Sequence, residues 1–320
     1  METSTLHNMA NAIRFLSADA INQANSGHPG MPLGMADVAT VLFAEYIKLN
    51  PEAPKWFDRD RFVLSAGHGS MLLYSLLWLT GYKDISLEDI KNFRQFGSKT
   101  AGHPEYGHLD GIDMTTGPLG QGISSAVGMA LAERMINARF GDDLCCHYTY
   151  VIAGDGCLME GISEEAASLA GHLRLNKLIV FWDNNNITID GTVDKSSSTD
   201  QLLRFQAMGW NTISIDGHDY VAIRQAIAKA QQSDKPTLIA CKTTIGFGAP
   251  SKCHGSPLGA EETAAMRNAL GWKWKPFEIP AEILDNWRQT QRRSLPAYNR
   301  WVEKASAAGS EFRDFIANRL

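Results

Sequence analysis

The chain has few cysteines and no framework for them: Cys145, Cys146, Cys157, Cys241 and Cys253 form neither a C-x-x-C pair nor a zinc spacing. An odd number without a pattern excludes a disulfide scaffold and fits a reducing compartment. No apolar run reaches the roughly 18 residues of a membrane span. The start of the chain carries Glu2 and Asn8, not a basic stretch followed by an apolar one, so no secretory signal is expected. These absences predict a cytoplasmic protein. Positive charge is not in excess: 30 Lys and Arg stand against 35 Asp and Glu, for a net charge of −5. That balance disfavours nucleic acid as a partner. The first strand–helix turn lacks both GxGxxG and GxxxxGK[ST], which weighs against a nucleotide site. Internal repeats and low-complexity tracts are also missing.

What is present is a long alternation of apolar strands and helical spacing. Leu6, Met9, Ile13, Leu16 and Ala20 share one face of a helix predicted over 6–25. Gly27, Pro29, Gly30 and Pro32 break it. A second helix is predicted over 35–46, a strand over 61–65 and an apolar helix over 70–79. Residues 97–122, rich in Gly, Pro, His and Thr, are too irregular for a regular element, and long loops in compact domains are often functional. A helix rich in small residues follows over 123–140.

Strands are then expected at 148–153, 178–183, 212–215 and 237–242, with helices at 161–172, 200–208 and 220–231. The strands are apolar without alternation, as buried parallel strands are. The pattern implies an α/β fold, a doubly wound, mostly parallel sheet with helices on both faces. Ligands on such sheets bind at the carboxyl ends of the strands. Further helices are predicted at 260–271, 283–293, 297–304 and 311–320, with an extended stretch bearing Trp and Pro over 272–280.

The strongest chemical signal is Gly154-Asp155-Gly156, just past one strand, with Asp183-Asn184-Asn185-Asn186 ending the next. Asp155 and Asn185 are one strand–helix–strand step apart, so both reach the same sheet edge. A carboxylate and an amide oxygen suit Mg²⁺, which takes oxygen ligands and commonly keeps phosphates among them. The flanking glycines let the backbone approach a diphosphate, and the helix starting near Glu160 offers free N–H groups to it. Alone, Gly-Asp-Gly is a tight turn as readily as a site. With the second motif at this spacing, it is similar to the signature of thiamine diphosphate enzymes.

Four further segments extend the resemblance. They are Ser26-Gly27-His28-Pro29-Gly30, Leu64-Ser65-Ala66-Gly67-His68, Gly102-His103-Pro104-Glu105 with 115–122 (TTGPLGQG), and His254-Gly255-Ser256-Pro257-Leu258. In order and without a large gap, from about residue 6 to about residue 280, the chain resembles the diphosphate-binding domain of transketolase. The resemblance implies the thiamine diphosphate-binding fold, with a domain over 1–275 and a linker with terminal helices over 276–320. Asp155, Asn185 and the backbone carbonyl of Ile187 look like ligands of Mg²⁺ or Ca²⁺. Gly156 and His68 look like diphosphate contacts. The Gly117 backbone and the Leu119 side chain resemble the aminopyrimidine cradle, and Ile189 and Ile245 resemble apolar contacts to the thiazolium. His28, His103 and His254 resemble the histidines of the sugar channel. Glu160 resembles the carboxylate that links two cofactor sites across a dimer interface. His7, His108, His147, His172 and His218, outside the motifs, are read as structural.

The implied activity is transfer of a ketol (glycolaldehyde) unit from a ketose phosphate to an aldose phosphate, as in a transferase that uses thiamine diphosphate and a divalent metal. Transketolases carry a second, pyrimidine-binding domain after this one, which supplies the glutamate that activates the cofactor and the groups that grip the substrate phosphate. An obligate partner bearing those groups is therefore expected, as a second chain in a homo- or hetero-oligomer or as the remainder of the same enzyme. Two alternatives stay open: a non-catalytic thiamine diphosphate-binding module, and half of a dihydroxyacetone synthase-like transferase.

Overall fold

The structure is a computed structural model and describes residues 1–189, 191–251 and 253–317. The chain opens with α1 (Thr3–Ala24), α2 (Gly30–Gly34) and α3 (Ala36–Val41), the last running into a π-helical turn at Leu42–Tyr46. β1 (Arg61–Leu64) leads through a 3₁₀ turn to α4 (Ser70–Thr80), and α5 (Leu87–Lys91) starts at a capping box made by Ser86 and Asp89. A long loop reaches α6 (Gln121–Phe140), then β2 (Thr149–Gly154), α7 (Asp155–Met159), α8 (Gly161–His172) and β3 (Leu178–Asn184). The small hairpin of β4 (Ile187–Thr188) and β5 (Gly191–Thr192) precedes α9 (Gln201–Ala207), β6 (Asn211–Asp216), α10 (Tyr220–Gln231) and β7 (Thr237–Lys242). Helices α11 (Gly259–Ala269), α12 (Ala281–Ala307) and α13 (Ser310–Ala317) complete the described residues. The last three positions of the helix expected over 311–320 lie outside them.

The main sheet has the order β1-β2-β3-β7-β6, and every pairing in it is parallel. The first three connections step in one direction and the fourth steps back. With right-handed crossovers this puts helices on both faces. Accordingly α6 lies on β1, β2 and β3 beside α8, while α10 packs with α3 and α3 with α1. The fold is the α/β sheet that the alternation predicts. β6 departs from the expected buried run. As an edge strand it leaves Ser214 and Asp216 exposed, because only one neighbour covers it.

Two helices differ from the pattern read along the chain. α1 is buried all round from Met9 to Ile21, not on one face alone. Its two buried charged residues are paired inside: Arg14 Nη2 meets Asp37 Oδ2 at 2.5 Å, and Asp19 holds Arg267 at 2.5 Å. α12 is one helix, although Pro296 suggests a break between 293 and 297. Proline removes one helical hydrogen bond, and packing on both sides of it offsets that loss. Before it, Trp287 is fully buried and its Nε1 donates to Met9 O at 3.2 Å. After it, Trp301 Nε1 donates to Leu144 O at 3.0 Å.

The Arg14–Asp37 pair is the polar centre of the second face. Asp37 Oδ2 also accepts from His218 Nδ1 at 2.8 Å, and Oδ1 from Tyr220 Oη at 2.6 Å. Burial alone would raise the Asp37 pKa, but Arg14, His218 and Tyr220 together hold it down at about 2. A depressed carboxyl stabilises the fold fully above its unfolded value, 3.8, and loses that contribution as pH falls through about 2. Replacing Asp37 by Ala strands a buried guanidinium, so unfolding in denaturant at pH 7 is expected to cost about 3–5 kcal/mol less. The gap between variant and parent should narrow as pH drops from 3.8 toward about 2.

Candidate active site

β2 and β3 are neighbours, and their register places Gly154 beside Asp183. Asp155 and Asn185 therefore leave the sheet at the same edge and line one cleft of about 210 Å³. The motifs scattered along the chain meet there. His28, His68, Gly117, Leu119, Gly156, Ile187, Ile189 and His254 line the same space. Loop straps hold them together: Ile123 N–H donates to Ser65 Oγ at 3.0 Å, and Gly246 N–H to Gly30 O at 2.9 Å.

Asp155 is 5% exposed and only half satisfied. Trp182 Nε1 donates to its Oδ1 at 3.0 Å, while Oδ2 has no hydrogen-bond partner among the described residues. Burial raises its pKa to about 7, against the pull of the Trp182 hydrogen bond and with a further push from Asp183. Asp183 is raised to about 6 by burial, against hydrogen bonds from Thr243 and Asn185. Two buried carboxyls that resist ionisation, with one oxygen unpartnered, form a seat for a cation. Asn185 Oδ1 turns back to accept from Ile187 N–H at 2.9 Å. A carbonyl oxygen has two lone pairs, so that turn leaves one for a cation. Beside this seat, a methyl group on Gly156 would come 2.9 Å from Leu119 Cδ1. A side chain there would press on Leu119.

The imidazoles of His28, His68 and His254 form a triangle, with ring centroids 4.9 to 5.5 Å apart. Burial first, then neighbouring cationic groups, holds His28 at about 4 and His68 at about 3. His103 is lowered by burial and by Arg94. These three rings are neutral near pH 7. Among the described residues, no three His, Cys, Asp or Glu side chains are arranged to hold a metal ion by themselves. A cation at Asp155 would need amide and backbone oxygens as well.

Three expected residues lie off the cleft. His103 lines an adjoining open cleft of about 880 Å³ together with Arg94 and His108. Ile245 is buried beneath Gly30. Glu160 is exposed at the start of α8. Ile189, by contrast, is 70% exposed at the cleft lip with a left-handed φ of 46°, unusual for a β-branched residue. Trp182, Asp183 and Arg94 escaped the motif reading. Asp183 stood in the Asn-rich run and was legible as a buried strand-end carboxylate. Trp182 read as core, and Arg94 lies in no motif.

A carboxyl whose folded pKa exceeds its unfolded one weakens the fold as pH rises from the unfolded value, here 3.8, to about 7. Asp155→Asn removes that cost. Without ligands, the variant should melt higher than the parent at pH 8, and the difference should shrink as pH falls below 7. Equal shifts at both pH values would contradict the buried, ionisation-averse carboxyl.

The family model described as the transketolase thiamine diphosphate binding domain matches residues 5–316. A transketolase of Cereibacter sphaeroides is 59% identical over 305 residues, which cover 94% of this chain and 46% of that protein. One from Sinorhizobium medicae is 57% identical over 311 residues, covering 96% and 45%. Among solved structures, Campylobacter jejuni transketolase superposes with a TM-score of 0.94 at 44% identity, over 97% of this chain and 50% of that one. A Pichia stipitis transketolase in complex with sedoheptulose-7-phosphate gives 0.93 at 42% identity, over 98% and 48%. The chain thus spans about half the length of the relatives it matches. It belongs to the transketolase family and corresponds to that family's thiamine diphosphate binding domain.

Proposed function

We propose that this chain supplies the diphosphate and metal half of a site for ketol transfer from a ketose phosphate to an aldose phosphate. The observation that carries the reading is the unpartnered, buried Asp155 oxygen in the same cleft as a triangle of imidazoles. In this reading Asp155, Asn185 and the Ile187 carbonyl hold Mg²⁺ or Ca²⁺. Gly156 and His68 meet the diphosphate, and Gly117 and Leu119 cradle the aminopyrimidine. Ile189 covers the thiazolium from the lip. Ile245 acts from beneath, through the wall it packs behind Gly30. When bound, thiamine diphosphate supplies the carbon nucleophile and the electron sink for the carbon–carbon cleavage.

The chain's own residues bind, orient and move protons. Imidazoles in such a cleft can hold sugar hydroxyls. His28 and His254 stand inside the cleft to do so, and His103 at its mouth. Phe96 and Ile189 are exposed at the mouth and lip, Ile162 and Leu169 are exposed on α8, and Leu173 just past its end. Apolar surface of this kind supports a partner. We place there the remaining half of the site, in the same polypeptide or a second chain, and a second copy facing Glu160. Free thiols at all five cysteines support a reducing, cytoplasmic setting. No helix among the described residues is long and apolar enough to cross a membrane.

Calorimetry on the chain should show thiamine diphosphate binding that depends on Mg²⁺, weakened at least tenfold (~1.4 kcal/mol) by Asp155→Ala. With xylulose 5-phosphate and ribose 5-phosphate, the chain alone should release no glyceraldehyde 3-phosphate, and adding a pyrimidine-binding half should restore release. Binding indifferent to Mg²⁺ and to residue 155 would contradict the assignment.

A further inference from the structure

Arg94 belongs to no motif, yet it ties two of them together. Its Nη1 donates to Ser26 Oγ at 2.8 Å, and its Nη2 lies 3.3 Å from His28 Nδ1. Its guanidinium packs over the backbone before His103, where a methyl group on Gly102 would stand 3.1 Å from Nε. The Arg94 backbone is left-handed, with φ 60°, and its N–H is tied to Thr100 O at 3.0 Å. Non-glycine residues in that region cost free energy and persist where surrounding structure fixes them, often at functional sites. Arg94 Nε is buried without a hydrogen-bond partner among the described residues, a further cost borne at the same side chain.

A guanidinium only donates. His28 Nδ1 must therefore present its lone pair to Arg94, and a neutral ring then carries its proton on Nε2. We propose that Arg94 is a positioning residue that fixes His28 as the Nε2–H tautomer. The charged and titratable groups facing this ring are Arg94, His68, His103 and His254. Burial and this surrounding cationic character keep it singly protonated near neutral pH. The ring edge opposite Arg94 adjoins the loop that carries His254. A methyl group on Gly255 would lie 2.8 Å from His28 Cδ2 and 3.2 Å from Nε2.

For the chemistry, which rests on the proposed ketol transfer, the consequence is a division of labour. His28 donates a hydrogen bond to a substrate oxygen. Proton acceptance then falls to another group of the completed site. The tautomer itself does not depend on that reading of function.

The test is long-range ¹H–¹⁵N spectroscopy of the full chain with ¹⁵N-labelled histidine near pH 7, assigned with His28→Gln. The expected pattern for His28 is a pyridine-like Nδ1 and a pyrrole-like Nε2. Arg94→Lys, which keeps a permanent donor, should preserve the pattern. Arg94→Leu should move both nitrogens toward averaged shifts, with the fold checked by thermal melt. A pyrrole-like Nδ1 in the parent would overturn the proposal, and so would an unchanged pattern in a folded Arg94→Leu. The parent spectrum decides even where Arg94→Leu does not fold. A confirmed tautomer in a chain inactive with its completing half would fault the functional reading and leave this one intact.

Discussion

A buried carboxylate that is only half satisfied governs this molecule. Asp155 stands at the carboxyl end of a central strand, with one oxygen held by Trp182 and the other unpartnered. Such a group costs free energy unless a cation or a proton joins it. Nearly everything around it can be understood as keeping it in place and dry. The parallel pairing of β2 with β3 sets Asp183 and Asn185 beside it. Asp183, itself anchored to Thr243 at the end of β7, adds negative charge and holds Asn185 by its amide. A metal bound to diphosphate fits this arrangement, because two resisting carboxyls and several neutral oxygens together offer charge and geometry.

The loops then close the seat. Residues 26–30, 64–68, 115–122 and 253–257 come from four separate stretches, and they meet through close backbone approaches. The second face of the sheet supports them from behind. His218 illustrates the connection: its Nδ1 donates to buried Asp37, and its Nε2 accepts from Thr244 N–H at 3.0 Å. Through it, the ion pair at the centre of the helical layer fixes the strap that carries Ile245 and Gly246. Stability and site geometry share these contacts, so a change at Asp37 reaches the cleft through packing.

Much of this was legible in the sequence because its signals are local or periodic. The apolar runs marked β1, β2, β3 and β7, and the thirty-residue spacing of Asp155 and Asn185 was one crossover long. What escaped depended on tertiary context. α1 looks amphipathic because Asn11, Arg14, Ser17 and Asp19 are polar, yet the partners of Arg14 and Asp19, Asp37 and Arg267, lie far along the chain. Pro296 reads as a break, and distant anchors at Trp287 and Trp301 carry the helix through it. Arg94 has no local signature, since its role arises where two loops distant in sequence meet. Asn185 was placed at the right edge, but its amide orientation follows from the turn to Ile187, which spacing cannot give.

Asp155 resists ionisation until a cation completes its shell. Carboxyl ¹³C spectroscopy of aspartate-labelled chain, with Asp155 assigned by Asp155→Asn, measures this directly. Without ligands the resonance should titrate near pH 7. With Mg²⁺ and thiamine diphosphate it should stay ionised well below that. An Asp155 that titrates near 3.8 in the ligand-free chain, or one indifferent to Mg²⁺, would contradict the account.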